Sequence, residues 1–300
     1  MFTGTGTALV TPFRRDGSLD EARSRALVKR QIEAGVDFLV PCGTTGESPT
    51  LTQAEHRRVV EVTVESARGK VPVLAGAGGY NTAEVICRAR ELAALDVSGI
   101  LSVTPYYNKP TQEGLYQHFK AIAAAVDLPI ILYSVQGRTG VNIEPATVQR
   151  LAHIPNIVGI KEASGSMGQI AAILNCVPET FLVLSGDDAL TLPLIALGGH
   201  GVISVVSNEI PAEMSRMVRL ALNGDFCAAR GLHRHYHALM EINFVESNPI
   251  PVKAALAEMG LLEPFWRLPL VPPKMENLAR IRALLESLKL AERAHAAISN

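Results

Sequence analysis

Short apolar runs of four or five residues alternate with longer stretches in which apolar residues recur every three or four positions. The short runs predict strands at 6–10, 38–41, 71–75, 99–103, 130–133, 157–160, 181–185 and 201–205. The longer stretches predict helices at 20–34, 53–67, 82–95, 112–125, 145–153, 167–175 and 189–197. Start signals support three of them: Asp20 before Glu21, Thr52 three residues ahead of Glu55, and Thr111 ahead of Glu113. The strand runs are almost continuously Val, Ile and Leu, the pattern of strands buried on both faces of a parallel sheet. Eight such units predict an α/β fold, a (β/α)8 TIM barrel. A doubly wound open sheet is the rival, but no GxGxxG follows the first strand. Beyond the eighth strand the pattern is wholly helical, at 211–223, 226–241, 251–258 and 275–288. We expect a barrel over 1–224 and a C-terminal helical extension over 225–300. Nothing in the extension's pattern carries chemistry; it caps the barrel or carries a subunit contact.

With 300 residues, 48% of them hydrophobic, the chain suffices for one large core and its appendage. A formal net charge of −1 gives no reason to expect nucleic acid or an anionic membrane as a partner. No apolar run reaches the roughly 20 residues that span a bilayer. The first residues lack the basic start and apolar middle of a signal peptide. Cys42, Cys87, Cys176 and Cys227 are widely spaced and form no CxxC. They read as reduced thiols, and a cytoplasmic protein is the expectation.

In a barrel, residues just after each strand share one rim, where active sites of this fold gather. Lys161 ends the run Ile157–Ile160 and would hold its ammonium where water is scarce. Such a lysine tends toward the neutral amine, a nucleophile for carbonyl carbon. Taken alone, it could equally snorkel outward and pair with Glu162. Tyr133 ends the preceding strand, so the two should be neighbours, with the phenol placed to move protons on a forming imine. Gly43-Thr44-Thr45-Gly46 offers two hydroxyls and backbone N–H groups for a small carboxylate, or is merely a turn of small residues. Arg138, between two glycines, offers a fork for a second carboxylate, or a surface ion pair. Tyr106-Tyr107 lies on a proline-flanked loop suited to substrate or to a subunit contact. Gly186, after the seventh strand, and Ile203, on the eighth, complete the rim. Asp187 and Asp188 are adjacent and would not both face one ion, so we expect no metal and no cofactor.

These segments, with Glu246-Ser-Asn-Pro-Ile-Pro-Val-Lys253, resemble the dihydrodipicolinate synthase family, within the pyruvate-dependent Schiff-base aldolases and lyases. The resemblance runs from Thr5 to about Leu288. It implies that Lys161 forms an imine with pyruvate, whose enamine attacks the aldehyde of L-aspartate 4-semialdehyde; cyclisation then releases 4-hydroxy-tetrahydrodipicolinate, on the diaminopimelate route to lysine. It also implies a proton relay of Thr44, Tyr133 and Tyr107, the last supplied across a dimer interface in a homotetramer. Thr45 would bind the pyruvate carboxylate and Arg138 that of the semialdehyde. Gly186 and the Ile203 carbonyl would lie against the substrate and the lysine.

Two departures from the family pattern stand out. Tyr133-Ser-Val-Gln136 lacks the usual proline before Gly-Arg, which should loosen the loop that aims Arg138. Ser48, His56, Glu84 and Tyr106 match the residues of lysine-inhibited members, but Pro49 and Tyr80 do not, so weak or absent inhibition by lysine is expected. Two other readings stay open on the residues. One is a sister aldolase acting on a sugar acid or hydroxy-oxo acid. The other is a barrel that binds a metabolite without catalysis, which the presence of the nucleophile and relay disfavours.

Overall fold

The computed structural model describes residues 1–291. The first six β/α units are β1 (Gly4–Ala8) with α1 (Glu21–Glu33), β2 (Phe38–Val40) with α2 (Gln53–Ala67), β3 (Leu74–Gly76) with α3 (Thr82–Ala93), β4 (Gly99–Val103) with α4 (Gln112–Ala123), β5 (Ile130–Ser134) with α5 (Gln136–Thr139) and α6 (Pro145–Leu151), and β6 (Ile157–Glu162) with α7 (Met167–Cys176). The last two are β7 (Leu182–Ser185) with α8 (Thr191–Ala196) and β8 (Gly201–Ser204) with α9 (Pro211–Leu222). Three helices follow: α10 (Phe226–Ile242), α11 (Ile250–Glu258) and α12 (Met275–Ser287).

The strands pair in parallel in the order β2-β1-β8-β7-β6-β5-β4-β3. A bridge between Leu39 and Val73 joins the two ends, so the sheet closes into the expected barrel. Each foreseen helix start is built as its sequence suggests: Asp20 accepts from the Arg23 amide, Thr111 from that of Gly114, and Thr52 and Glu55 form a reciprocal capping box.

Two apolar cores hold the barrel. One fills its interior with Phe2, Phe38, Leu74, Leu101, Ile131, Leu184 and Ile203 among others. The other lies between strands and helices and continues into Leu239, Val252 and Leu285 of the C-terminal helices. The boundary placed at 224/225 therefore falls inside one continuous core. Residues 292–300 of the expected extension lie outside the described residues.

Two strands depart from their expected bounds: β3 spans Leu74–Gly76 rather than 71–75, and β1 spans Gly4–Ala8 rather than 6–10, shifted at both ends. The apolar pattern pointed at Leu9 and Val10, but the paired residues are glycines and threonines. Their smallness is what the site needs: any Cβ on Gly6 would collide with the Phe38 ring. Phe38 meets Phe2 edge-on, with centroids 5.6 Å apart, inside the barrel. In the extension, α10 packs on α8 and α9, and α11 packs on α12 and on a 3-10 turn at Val206–Asn208. Residues Ile250 to Leu256 of α11 are all buried, so no polar face marks this helix in the sequence.

Candidate active site

The register of β5 and β6 sets Tyr133 directly beside Lys161. Side chains alternate along a strand, so Lys161 and Glu162 point to opposite faces. Lys161 points into the barrel, only 5% exposed, with its Nζ 4.3 Å from the Tyr133 ring centroid. Glu162 points outward to α7, where it accepts from Gln169 Nε2 at 2.8 Å. The outward Lys161–Glu162 pair is thereby excluded, and among the described residues Lys161 has no ion-pair partner. Gly186 provides the space: a Cβ there would stand 2.6 Å from Ala163 Cβ and 3.1 Å from Lys161 Cε. Ile203, fully buried on β8, belongs to the same interior cluster as Tyr133.

The turn after β2 is tight. Gly46 and Glu47 donate back to the carbonyls of Gly43 and Thr44 at 3.1 Å each. The amides of Thr44 and Thr45 find no backbone acceptor among the described residues, as an anion-binding turn requires. Thr45 is buried, and its Oγ1 accepts from Asn248 Nδ2 at 2.9 Å. Glu47 closes the turn in the left-handed region (φ 52°), and its fully buried carboxylate pairs with Lys253 of α11. The Lys253 ammonium lies 4.5 Å from the Phe13 ring centroid; burial pushes its pKa down, against the pull of Glu47.

A cavity of about 550 Å³ opens above the barrel mouth. Thr44, Tyr133 and Arg138 line it, as do Ser48, Glu84 and Tyr106. Lys161 and Thr45 are not among its wall residues; both are buried, and Lys161 sits against the ring of Tyr133. His56 is also not in the wall: it is buried, its Nε2 bonds the Gly76 carbonyl at 2.9 Å, and burial lowers its pKa to about 4. Tyr80 meets Tyr106 edge-on at 5.2 Å, and burial, with Tyr80 beside it, raises the Tyr106 pKa. Tyr107 is not brought to Thr44 and Tyr133 within one chain. It is 91% exposed, on a loop where both Tyr107 (φ 69°) and Lys109 (φ 45°) take left-handed backbone.

The segment carrying Arg138 is a closed turn rather than the loosened loop expected from the missing proline. Gln136 is the first residue of α5, where the N–H needs no intrahelical acceptor and any residue can stand in for proline. Gly140 donates to the Gln136 carbonyl at 2.9 Å, and Thr139 Oγ1 donates to the Val141 carbonyl at 2.9 Å. Arg138 Nη2 donates to the Asn248 carbonyl at 3.0 Å. Asp187 and Asp188 serve structure: Asp187 accepts from the Ala189 amide, and buried Asp188 accepts from those of Val205 and Val206. Burial pushes the Asp188 carboxyl up to about 6. Among the described residues no group of three or more His, Cys, Asp or Glu is placed to hold a metal ion.

Sequence reasoning left Asn248 and Lys253 without a role. Both lie in the Glu246–Lys253 segment that carries the family resemblance, as polar residues in an otherwise apolar, proline-rich run from Asn248 to Leu256.

A family model described as the dihydrodipicolinate synthetase family matches residues 1–288. The chain is 60% identical to a 4-hydroxy-tetrahydrodipicolinate synthase of Koribacter versatilis, over 94% of each chain. Its fold is similar to the crystal structure of dihydrodipicolinate synthase from Aquifex aeolicus, with TM-score 0.95 and 45% identity, covering 97% of this chain and 99% of that one. It is also similar to the enzyme from Cyanidioschyzon merolae with lysine bound, with TM-score 0.93 and 42% identity, covering 96% and 99%.

Proposed function

This chain belongs to the dihydrodipicolinate synthetase family, and we propose that Lys161 is the nucleophile through which it condenses pyruvate with L-aspartate 4-semialdehyde to 4-hydroxy-tetrahydrodipicolinate. The enzyme is a lyase of lysine and diaminopimelate biosynthesis. The observation that carries the lysine assignment is a buried Lys161 with no carboxylate partner, one register position from Tyr133.

The amine of Lys161 adds to the ketone carbon of pyruvate, and the carbinolamine loses water to give an imine. Thr45 and the free amides of its turn receive the pyruvate carboxylate. Loss of a methyl proton gives the enamine, whose carbon attacks the aldehyde of the second substrate. The substrate's amine then displaces Lys161, closing the ring and freeing the lysine. These steps move protons at nitrogen, oxygen and the methyl carbon; Tyr133 sets its ring against the amine, and Thr44 lines the same cavity as Tyr133. Tyr107 completes this relay from a second copy of the chain; its 91% exposure and fixed left-handed backbone suit a side chain that serves a neighbour. The assembly is a homotetramer. Arg138 holds the carboxylate of the semialdehyde at the cavity mouth. The Ile203 carbonyl lies near the lysine, and Gly186 keeps its path open.

No helix among the described residues is long and apolar enough to cross a membrane, and we place the enzyme in the cytoplasm. Lysine inhibits weakly or not at all in this reading. Ser48, Glu84 and Tyr106 line the cavity, but Tyr80 packs edge-on against Tyr106 where a ligand would stack. Titrating turnover with lysine reads this directly; half-inhibition well below millimolar would overturn it. The principal test is turnover with both substrates. Product formed from pyruvate and aspartate semialdehyde supports the synthase, whereas turnover with sugar acids instead points to the sister aldolase.

A further inference from the structure

One residue from the C-terminal helical region touches both carboxylate-binding elements. Asn248 donates from Nδ2 to Thr45 Oγ1 at 2.9 Å, across 203 positions of sequence. Its backbone carbonyl accepts from Arg138 Nη2 at 3.0 Å, across 110 positions. Asn248 and Thr45 are both buried, so the bond between them is shielded from water, whereas Arg138 reaches the Asn248 carbonyl from an exposed position. We propose that Asn248 is a positioning residue that sets the donor direction of Thr45 and the aim of Arg138 together.

A threonine hydroxyl has one proton to give. When its oxygen accepts from the Asn248 amide, that proton is left for another acceptor. The free amides of Thr44 and Thr45 mark the same turn as the seat of the pyruvate carboxylate. Asn248 thus turns a freely rotating hydroxyl into a donor oriented before substrate arrives, which lowers the ordering cost of binding. The carbonyl of the same residue does the equivalent for the exposed Arg138. Two features keep Asn248 in place. Pro249 and Ile250 lead straight into α11, whose Lys253 is locked to Glu47 at the far end of the same turn. Arg267 adds a second tie, its amide donating to Glu47 Oε2 at 3.4 Å while its guanidinium pairs with Glu55 at 2.5 Å. The extension therefore holds the turn from behind while Asn248 orients it from the front.

This inference rests on the synthase reading, and its test separates the two. Asn248→Asp keeps the size of the side chain but reverses the bond: the carboxylate takes the Thr45 proton. Its pyruvate half-saturation, measured by borohydride trapping, should rise about tenfold, equivalent to about 1.4 kcal/mol, while the melting temperature stays near that of the wild type. In the Thr45→Val background the same change should add less than about twofold, because the two residues act as a unit. Asn248→Ala should raise half-saturation for both substrates, whereas Arg138→Ala should raise only that for the semialdehyde. Unchanged pyruvate half-saturation in Asn248→Asp overturns the proposal. So do effects of Asn248→Asp and Thr45→Val that simply multiply, or activity lost only in proportion to folded protein. If wild-type protein forms no pyruvate adduct, the synthase reading itself falls, whatever the variants do.

Discussion

The ends of β5 and β6 and the 246–253 segment meet at one end of the barrel through Thr45, Glu47 and Arg138, yet they stand in contrast in almost every respect. Tyr133 and Lys161 lie 28 positions apart and meet through strand register, which repeats with every β/α unit. Asn248 and Lys253 reach Thr45 and Glu47 across more than 200 positions, through side chains alone. In the proposed reaction the first region supplies the groups that react, and the second supplies none but sets where the carboxylate-binding groups point. Chemistry in this fold is placed by the barrel's own periodicity, and its precision comes from a segment outside that period.

The contrast is sharpest where each region is cut. Arg138→Ala removes a rim group and should lower kcat/KM for the semialdehyde by about 30-fold or more, the low end of a charge-assisted pair's roughly 2–5 kcal/mol. Pyruvate binding should change little, and parallel titrations of the two substrates check this. Lys253→Met cuts the other region. It leaves the Glu47 carboxylate buried without its cation, which costs about 3–5 kcal/mol. Denaturant unfolding should show that loss, and Glu47→Leu added to it should recover most of it, because an apolar pair of similar volume replaces the ions. Equal stability of Lys253→Met and the wild type would remove the extension from the account.

A smaller effect belongs to the joint between the regions. Glu209, just after the Val206–Asn208 turn, accepts from Asn243 Nδ2 at 2.6 Å. Burial, reinforced by nearby Asp188, raises its carboxyl to about 8 from a reference of 4.5, with Arg30 pulling the other way. The folded protein thus keeps a proton that the unfolded chain has released between those values. Stability must then fall as pH rises through that window, by at most about 1.4 kcal/mol per unit for this group. Glu209→Gln keeps the acceptor for Asn243 and should flatten that decline. Unfolding curves at pH 5.5 and 8 measure it, and an unchanged slope contradicts the assignment.

The same contrast explains what could be read from the sequence. Helix starts at Asp20, Thr52 and Thr111 are local patterns, and they appear as built. Lys161 and Tyr133 end apolar runs, so their position on one rim followed from strand period. β1 was misplaced by two residues because its constraint is steric: Gly6 is fixed by the Phe38 ring, not by its own hydropathy. The looseness expected around Arg138 did not appear, because Gln136 stands where a helix asks nothing of its N–H. Asn248 stayed silent because its partners, Thr45 and Arg138, are chosen by tertiary approach. The segment resembled the family's motif, but a lysine in a run as apolar as 249–256 told only that it needs a partner, not which one.

The central claim is that Lys161 carries the imine. Intact mass after incubation with pyruvate and borohydride tests it most directly, on the wild type and on Lys161→Ala. The account predicts a single pyruvyl adduct on the wild type and none on the variant. An adduct of equal yield on Lys161→Ala, or none on either protein, would contradict it.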